Sequence, residues 1–396
     1  MAIEPLTLNR ISGVLILSAI VLALIAANSP LAEIYVKVHH APIRIGLAPY
    51  QIDAPLIVWI NQGLMTFFFV LVGVEIKQEL VAGHLSTLRK AALPAIAALG
   101  GMIVPALIYI AFAAFEGDAV RGWAIPMATD IALALALLSL LGNRVPVGLK
   151  VFLMALAIFD DLGAVAIIAF FYGEEVHTLP LMLAALTFAA MVGLNRVGQA
   201  KPLPLAMLGA ILWLALFQSG IEAALAGVLI AAVVPNEAKY DDSNPPLLRI
   251  QQLLHPWASL LIVPIFGFFN AGVTIEIETL QNVTGGVSLG VFFGLFLGKQ
   301  IGVLGATWCA VKLRIGVLPP GVGFRHIYGA GLLAGVGFTM GLFVTALAFD
   351  VAALAASARL AILIGSTLSA VVGLAVLRFA QAKHEERISR RQRDAI

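Results

Sequence analysis

Charge is what this chain has least of: only 12% of its 396 residues are Asp, Glu, Lys or Arg, about half the share in an ordinary soluble domain. That shortage excludes a soluble globular enzyme, whose surface so few charges could not cover. Cysteine is nearly absent too, with Cys309 alone, which excludes a disulfide scaffold. No HExxH, no clustered Cys/His and no serine elbow occur, so no enzyme centre is legible and no cofactor is expected. Gly294 to Lys299 imitates a phosphate loop, but it is one residue short between its glycines, and Gln300 stands where Ser or Thr belongs. The net charge is only +2, and no nucleic-acid partner is expected.

What the chain has instead is apolar residues, at 61%, enough for about twelve helices of about 20 residues each. The expected fold is therefore an all-α polytopic membrane protein. Apolar windows bounded by Gly, Pro and charge fall at 10–28, 56–80, 93–114, 122–141, 149–172, 179–196, 203–218, 221–235, 251–272, 287–311, 327–349 and 357–378. The first window, 10–28, reads as a retained span, although Ala26-Ala27-Asn28-Ser29 loosely resembles a cleavage site. With a cytoplasmic N-terminus, 18 of the 24 basic residues fall on the cytoplasmic side. That bias supports an even number of spans and both termini inside. Residues 42–53, PIRIGLAPYQID, read either as a short extracytoplasmic β-hairpin or as an irregular loop. Residues 379–396 read as a solvated cytoplasmic tail whose basic residues touch anionic lipid.

Against this apolar background four charges lie deep in the spans: Asp130, Asp160, Asp161 and Lys299. Unpaired, they would cost on the order of 10–14 kcal/mol, which rivals the whole stability of a protein, about 5–15 kcal/mol. They must pair, take up protons or line water. Lys299 sits roughly 18 Å of helix from either end of its window, beyond the reach of a snorkelling stem. Its neighbours Gly294, Gly298 and Gly302 form a small-residue stripe that admits another helix closely. Asp160 and Asp161 point about 100° apart on a helix, yet both can border one cavity. Two carboxylates this close cannot both ionise cheaply, which suits them to proton exchange.

Two of the windows carry interruptions. Pro126 breaks or bends the span 122–141, and Thr129 and Asp130 follow at once with oxygen ligands and a cap for the freed backbone. Gly335-Val336-Gly337-Phe338-Thr339 interrupts the span 327–349, with Gly331 and Gly341 flanking. Each interrupted span is the middle member of a triplet, 93–172 and 287–378, and the two triplets run in opposite orientation. Broken helices in matching places of two halves point to a transporter with inverted repeats and a midplane ion site. Weaker candidates lie elsewhere. Glu75, Lys77 and Glu79 are a helix-end charge cluster or a mouth that collects cations and responds to pH. His255, before Pro256, is a satisfied interfacial histidine or a titrating switch. Glu222 reads as part of a turn.

The stretches GGMIVPALIY (100–109), GWAIPMATDIALAL (122–135), NRVPVGLKVFLMALAIFDDLGA (143–164), HPWASLLIVPIFGFFNAGV (255–273) and GVGFTMGLF (335–343) closely resemble the NhaA-type sodium/proton antiporter family. The resemblance runs along essentially the whole chain. That family is among the examples from which the inverted-repeat rule is drawn, so the resemblance corroborates the repeat and is not independent of it. It implies that Asp160 and Asp161 bind sodium and protons, with Asp161 the more central to the cation, and that Lys299 partners Asp160. It also implies that Thr129 and Asp130 lie in one extended crossing, that Gly337, Phe338 and Thr339 lie in the other, and that residues 42–53 mediate a homodimer. Arg249 and His255 match the family's pH-responsive region, whereas Gln78, Gln251, Gln252 and Glu222 depart from its best-known members. The expected function is electrogenic, alternating-access exchange of cytoplasmic Na+ or Li+ for external H+ in the bacterial inner membrane, serving sodium and pH homeostasis. The alternatives are exchange of another monovalent cation, a cation channel distinguished by fast single-channel currents, and an intramembrane aspartyl protease built on Asp130 with Asp160 or Asp161.

Overall fold

The structure is a computed structural model and describes residues 5–45, 52–81, 83, 86–114, 116–142, 145–173, 176–197, 202–236, 245–275 and 282–393. It is helical apart from one two-stranded sheet. Among the described residues eight helices are long and apolar enough to cross a membrane, and three bent pairs raise the number to as many as eleven. The shorter apolar helix Ala223–Val233 is additional. Each of the twelve windows read from the sequence coincides with one of these elements.

Contacts within the chain define two compact units. The first comprises Met1–Val14, His84–Ala164 and Ile275–Ile396, and the second Leu15–Gly83 and Val165–Thr274. In the first unit the helix Gly286–Lys312 lies along Leu88–Ala113. The glycine stripe explains how near they come. A Cβ at Gly302 would run into the Gly100 carbonyl, one at Gly298 would lie 2.7 Å from the Pro105 Cα, and one at Gly294 would lie 2.7 Å from the Pro126 Cβ. The core alongside is aliphatic and aromatic, with Leu149, Phe152, Leu156, Val303, Ile327 and Leu333 among its buried members. Both interrupted spans belong to this unit. Gly117–Met127 and Ile131–Leu140 meet at 45°, and Phe324–Ala334 and Phe338–Ala348 meet at 46°. Pro126 stands in the last turn of its 3-10 half-helix, and the chain becomes extended only at Ala128.

The last helix, Ala352–Arg393, runs 42 residues; its apolar span ends at Ala380, and the backbone stays helical into the polar stretch that follows. After Gly373 the chain holds no glycine or proline, and Ala, Gln, Lys, Glu and Arg are strong helix formers, so nothing stops it.

In the second unit, Ala223–Val233 packs on Leu56–Val81. A Cβ at Gly227 would lie 2.7 Å from the Val70 nitrogen, and one at Gly73 would lie 2.7 Å from the Ala231 Cβ. Strands Pro42–Ile45 and Ile52–Pro55 pair antiparallel, with Arg44 opposite Asp53 at an ion-pair distance of 2.8 Å. The hairpin reading of residues 42–53 therefore prevails over the irregular loop, while its turn, 46–51, lies outside the described residues.

Candidate functional site

Where a helix is interrupted, its backbone loses partners. The first half-helix leaves carbonyls at its C-terminal end and the second leaves amides at its N-terminal end, with partial charges to match. The two broken spans of the first unit bring these ends together. The Asp130 amide donates to the Val336 carbonyl at 2.7 Å, joining the breaks directly.

Asp130 serves both N-terminal ends. Its Oδ1 accepts from the Leu133 amide at 3.0 Å, capping Ile131–Leu140. Its Oδ2 accepts from the Thr339 amide at 3.2 Å and the Thr339 hydroxyl at 2.6 Å, capping Phe338–Ala348. One carboxylate thus offsets two positive helix ends. Asp130 shares no hydrogen bond with either other aspartate among the described residues, unlike the proton-sharing dyad of an aspartyl protease.

Lys299 serves the C-terminal end at the first break. Its ammonium donates to the Met127 carbonyl, at the C-terminal end of the first half-helix, to the Thr129 hydroxyl at 3.1 Å and to Asp160 Oδ2 at 2.6 Å. Three ammonium protons meet three acceptors. The turn before it, Gly294–Gly298, is π-helical, the kind of local widening that re-aims a side chain. Thr129 Oγ stands 2.6 Å from Asp160 Oδ2 and 2.8 Å from the Ala334 carbonyl. Its single proton must choose between them.

Asp160 and Lys299 are both wholly buried, and their pair is closed to solvent. Asp160 Oδ1 receives no hydrogen bond among the described residues. Asp161, one step on along Val147–Phe171, is 1% exposed. No group of three or more His, Cys, Asp or Glu is gathered for a resident metal among the described residues. A cation here would complete its shell with hydroxyls, carbonyls or water.

The sequence profile of the family described as Na+/H+ antiporter 1 matches residues 4–377. The chain belongs to that family. It is 49% identical to the Na(+)/H(+) antiporter NhaA of Rhodospirillum rubrum over 384 residues, covering 95% of this chain and 96% of that one. To the protein of the same name from Shewanella frigidimarina it is 48% identical, covering 91% and 92%, and to that of Pseudomonas putida GB-1 47% identical, covering 95% and 96%. With its many apolar helices, this member of the antiporter family is a multi-pass membrane protein.

The remaining candidates of this antiporter family member lie in the second unit. Lys77 donates to the Ala232 and Val234 carbonyls at 2.7 and 2.6 Å and so caps the C-terminal end of Ala223–Val233. Glu75 hydrogen-bonds the Gln251 side chain, linking Leu56–Val81 to Pro246–Ala271 beside Arg249 and His255. Glu79 lies in the last turn of Leu56–Val81. Glu222 caps a short 3-10 turn through the Ala224 amide. Sequence reasoning missed Ser366 and Ser369, both wholly buried on the last helix. Ser366 Oγ accepts from the Gly337 amide at 3.0 Å, in the second break. Their only signal was two hydroxyls three residues apart, on one helix face.

Proposed function

We propose that this chain exchanges sodium, or lithium, for protons by alternating access, with Asp160 and Asp161 as the ion- and proton-carrying groups. The observation that carries the reading is the buried Asp160–Lys299 pair, whose Asp160 Oδ1 has no hydrogen-bond donor among the described residues. A hard cation prefers oxygen ligands. On entering between the carboxylates it competes with Lys299 for Asp160, and protons arriving from the other side displace it in turn. The Thr129 hydroxyl can follow either state, donating to Asp160 or to Ala334. If Asp161 and the Asp160–Lys299 pair each release one proton for one cation, one charge moves per cycle, and the membrane potential contributes about 2.3 kcal/mol per 100 mV.

Under the same proposal the triplets 93–172 and 287–378 are inverted repeats that build the crossing. Glu75, Glu79, Arg249 and His255 form the pH-responsive cytoplasmic mouth, and the 42–53 hairpin joins two copies. Both termini then face the cytoplasm of a bacterial cell, across its inner membrane. The positive-inside bias supports that orientation, and membership of a family of Na+/H+ antiporters supports transport over enzymatic chemistry.

The test is proton movement followed by a pH-sensitive dye in everted vesicles challenged with sodium, lithium or potassium. Wild type is expected to respond to sodium and lithium, and Asp161→Asn to neither. Normal exchange by Asp161→Asn would sink the assignment, and a response to potassium alone would overturn the substrate.

A further inference from the structure

Backbone carbonyl oxygens accept hydrogen bonds and never donate them. His39 rests both ring nitrogens on such oxygens. Nδ1 lies 2.7 Å from the Tyr35 carbonyl and Nε2 2.6 Å from the Phe269 carbonyl. A neutral imidazole has one N–H and one lone pair, so it satisfies one contact and sets two acceptors against each other in the second. The imidazolium donates to both. We propose that His39 is a regulatory proton-binding site, its imidazolium clasping the end of the helix Pro246–Ala271. Its effect on transport rests on the exchange reading above.

The clasp has a definite target. The last carbonyls of a helix lack amide partners and favour a nearby cation. Asn28 Nδ2 donates to the Val273 carbonyl at 2.7 Å, and the Tyr35 hydroxyl donates to the Phe268 carbonyl at 2.6 Å. Gly272 admits the Tyr35 ring, since a Cβ there would lie 2.5 Å from its Cε1. The His39 and Phe269 rings stand 4.9 Å apart. Three side chains from one short segment thus hold one helix end, and only the His39 ring can carry either one N–H or two.

The charged surroundings leave that choice to the proton. On the same helix, Ala32–His39, Glu33 and Lys37 pair with each other at 2.6 Å. Tyr35 lies with its ring 4.2 Å from that of His39, and His40 turns Nδ1 to the Val36 carbonyl at 3.0 Å. The facing stretches 56–64 and 263–273 contain no acid or base. In the hairpin, Arg44 and Asp53 pair with each other.

The clasped helix connects to more than its own end. Asn270 exchanges hydrogen bonds with Asn61 at 2.8 and 3.2 Å, and Gln251 meets Glu75 near the opposite end. Protonation completes the clasp, and loss of the proton as pH rises removes one of its bonds. Exchange should therefore change in a step with the pH on the side of the membrane that bathes residue 39.

The experiment uses the full chain in lipid vesicles. Nitrogen-15 histidine NMR over a pH series is expected to show both His39 nitrogens protonated at the acid end and one bare at the alkaline end, with the signal assigned by its loss in His39→Gln. With pH set independently on the two faces, the rate step on one face should coincide with the loss of that proton. His39→Gln should remove that step and leave only the pH dependence that protons impose as substrate, whereas His40→Gln, whose ring meets the Val36 carbonyl, should keep it. A His39 ring with one bare nitrogen throughout the series overturns the proposal, as does a rate–pH profile on that face that is the same in His39→Gln as in wild type. The NMR reading stands alone if the vesicles exchange nothing, which separates failure of this site from failure of the exchange reading.

Discussion

Asp130 and Asp160 are both buried carboxylates, 2% and 0% exposed, in the same unit of the same chain, yet they are held in opposite ways. Asp130 is anchored by donors from two helix N-termini, through both of its oxygens. Asp160 is held through one oxygen only, by a lysine and a hydroxyl, while its Oδ1 accepts nothing among the described residues. Backbone amides cannot leave without unwinding a helix, whereas a lysine can be outcompeted by another cation. The difference separates a carboxylate that builds the crossing from one that can exchange partners upon it.

Lys299→Ala tests the comparison most severely, because it strands a buried carboxylate. It should destabilise the protein by about 3–5 kcal/mol, read as a fall in thermal midpoint in detergent, and adding Asp160→Asn should restore much of the loss. No recovery in the double variant would mean that Lys299 acts through packing and not through Asp160. Asp130→Ala comes next. It removes the cap of two helices, each worth about 0.5–2 kcal/mol, so its thermal midpoint should also fall. Asp130→Asn, which keeps an acceptor oxygen, should lose less and retain measurable exchange where Asp160→Asn retains none; equal loss in the two would erase the distinction. The smallest effect is expected from Gly302→Ala. Its methyl would press on the Gly100 carbonyl, an overpacking cost of about 1–3 kcal/mol. It should displace Lys299 from Asp160 while leaving the Asp130 caps intact, so exchange should fall more than stability. A variant that exchanges normally would show that this close helix contact does not position the lysine.

Much of this was legible beforehand, because the signals are local. A charge in an apolar run declares itself by its cost, and so Asp130, Asp160, Asp161 and Lys299 stood out. Pro126 and the Gly335–Gly337 pair marked the breaks, since each weakens helix where it stands. Ser366 escaped notice because a serine inside a span costs little and bonds its own helix as readily as another's. The helical continuation to Arg393 was not legible because polarity marks only where the apolar span ends, while helix propensity, which decides the backbone there, does not depend on burial.

By itself, the amino-acid sequence determined how many apolar helices form, where two of them break and which four charges must find partners, since periodicity, helix breaking and desolvation act over a few residues. Only the tertiary structure decided who those partners are. Lys299 reaches Met127 across 172 positions, Thr129 reaches Ala334 across 205, and Asp130 reaches Thr339 across 209. No local rule connects residues so far apart; packing of the two breaks against each other does, because helix ends of opposite polarity leave amides and carbonyls that the buried side chains of other segments must satisfy.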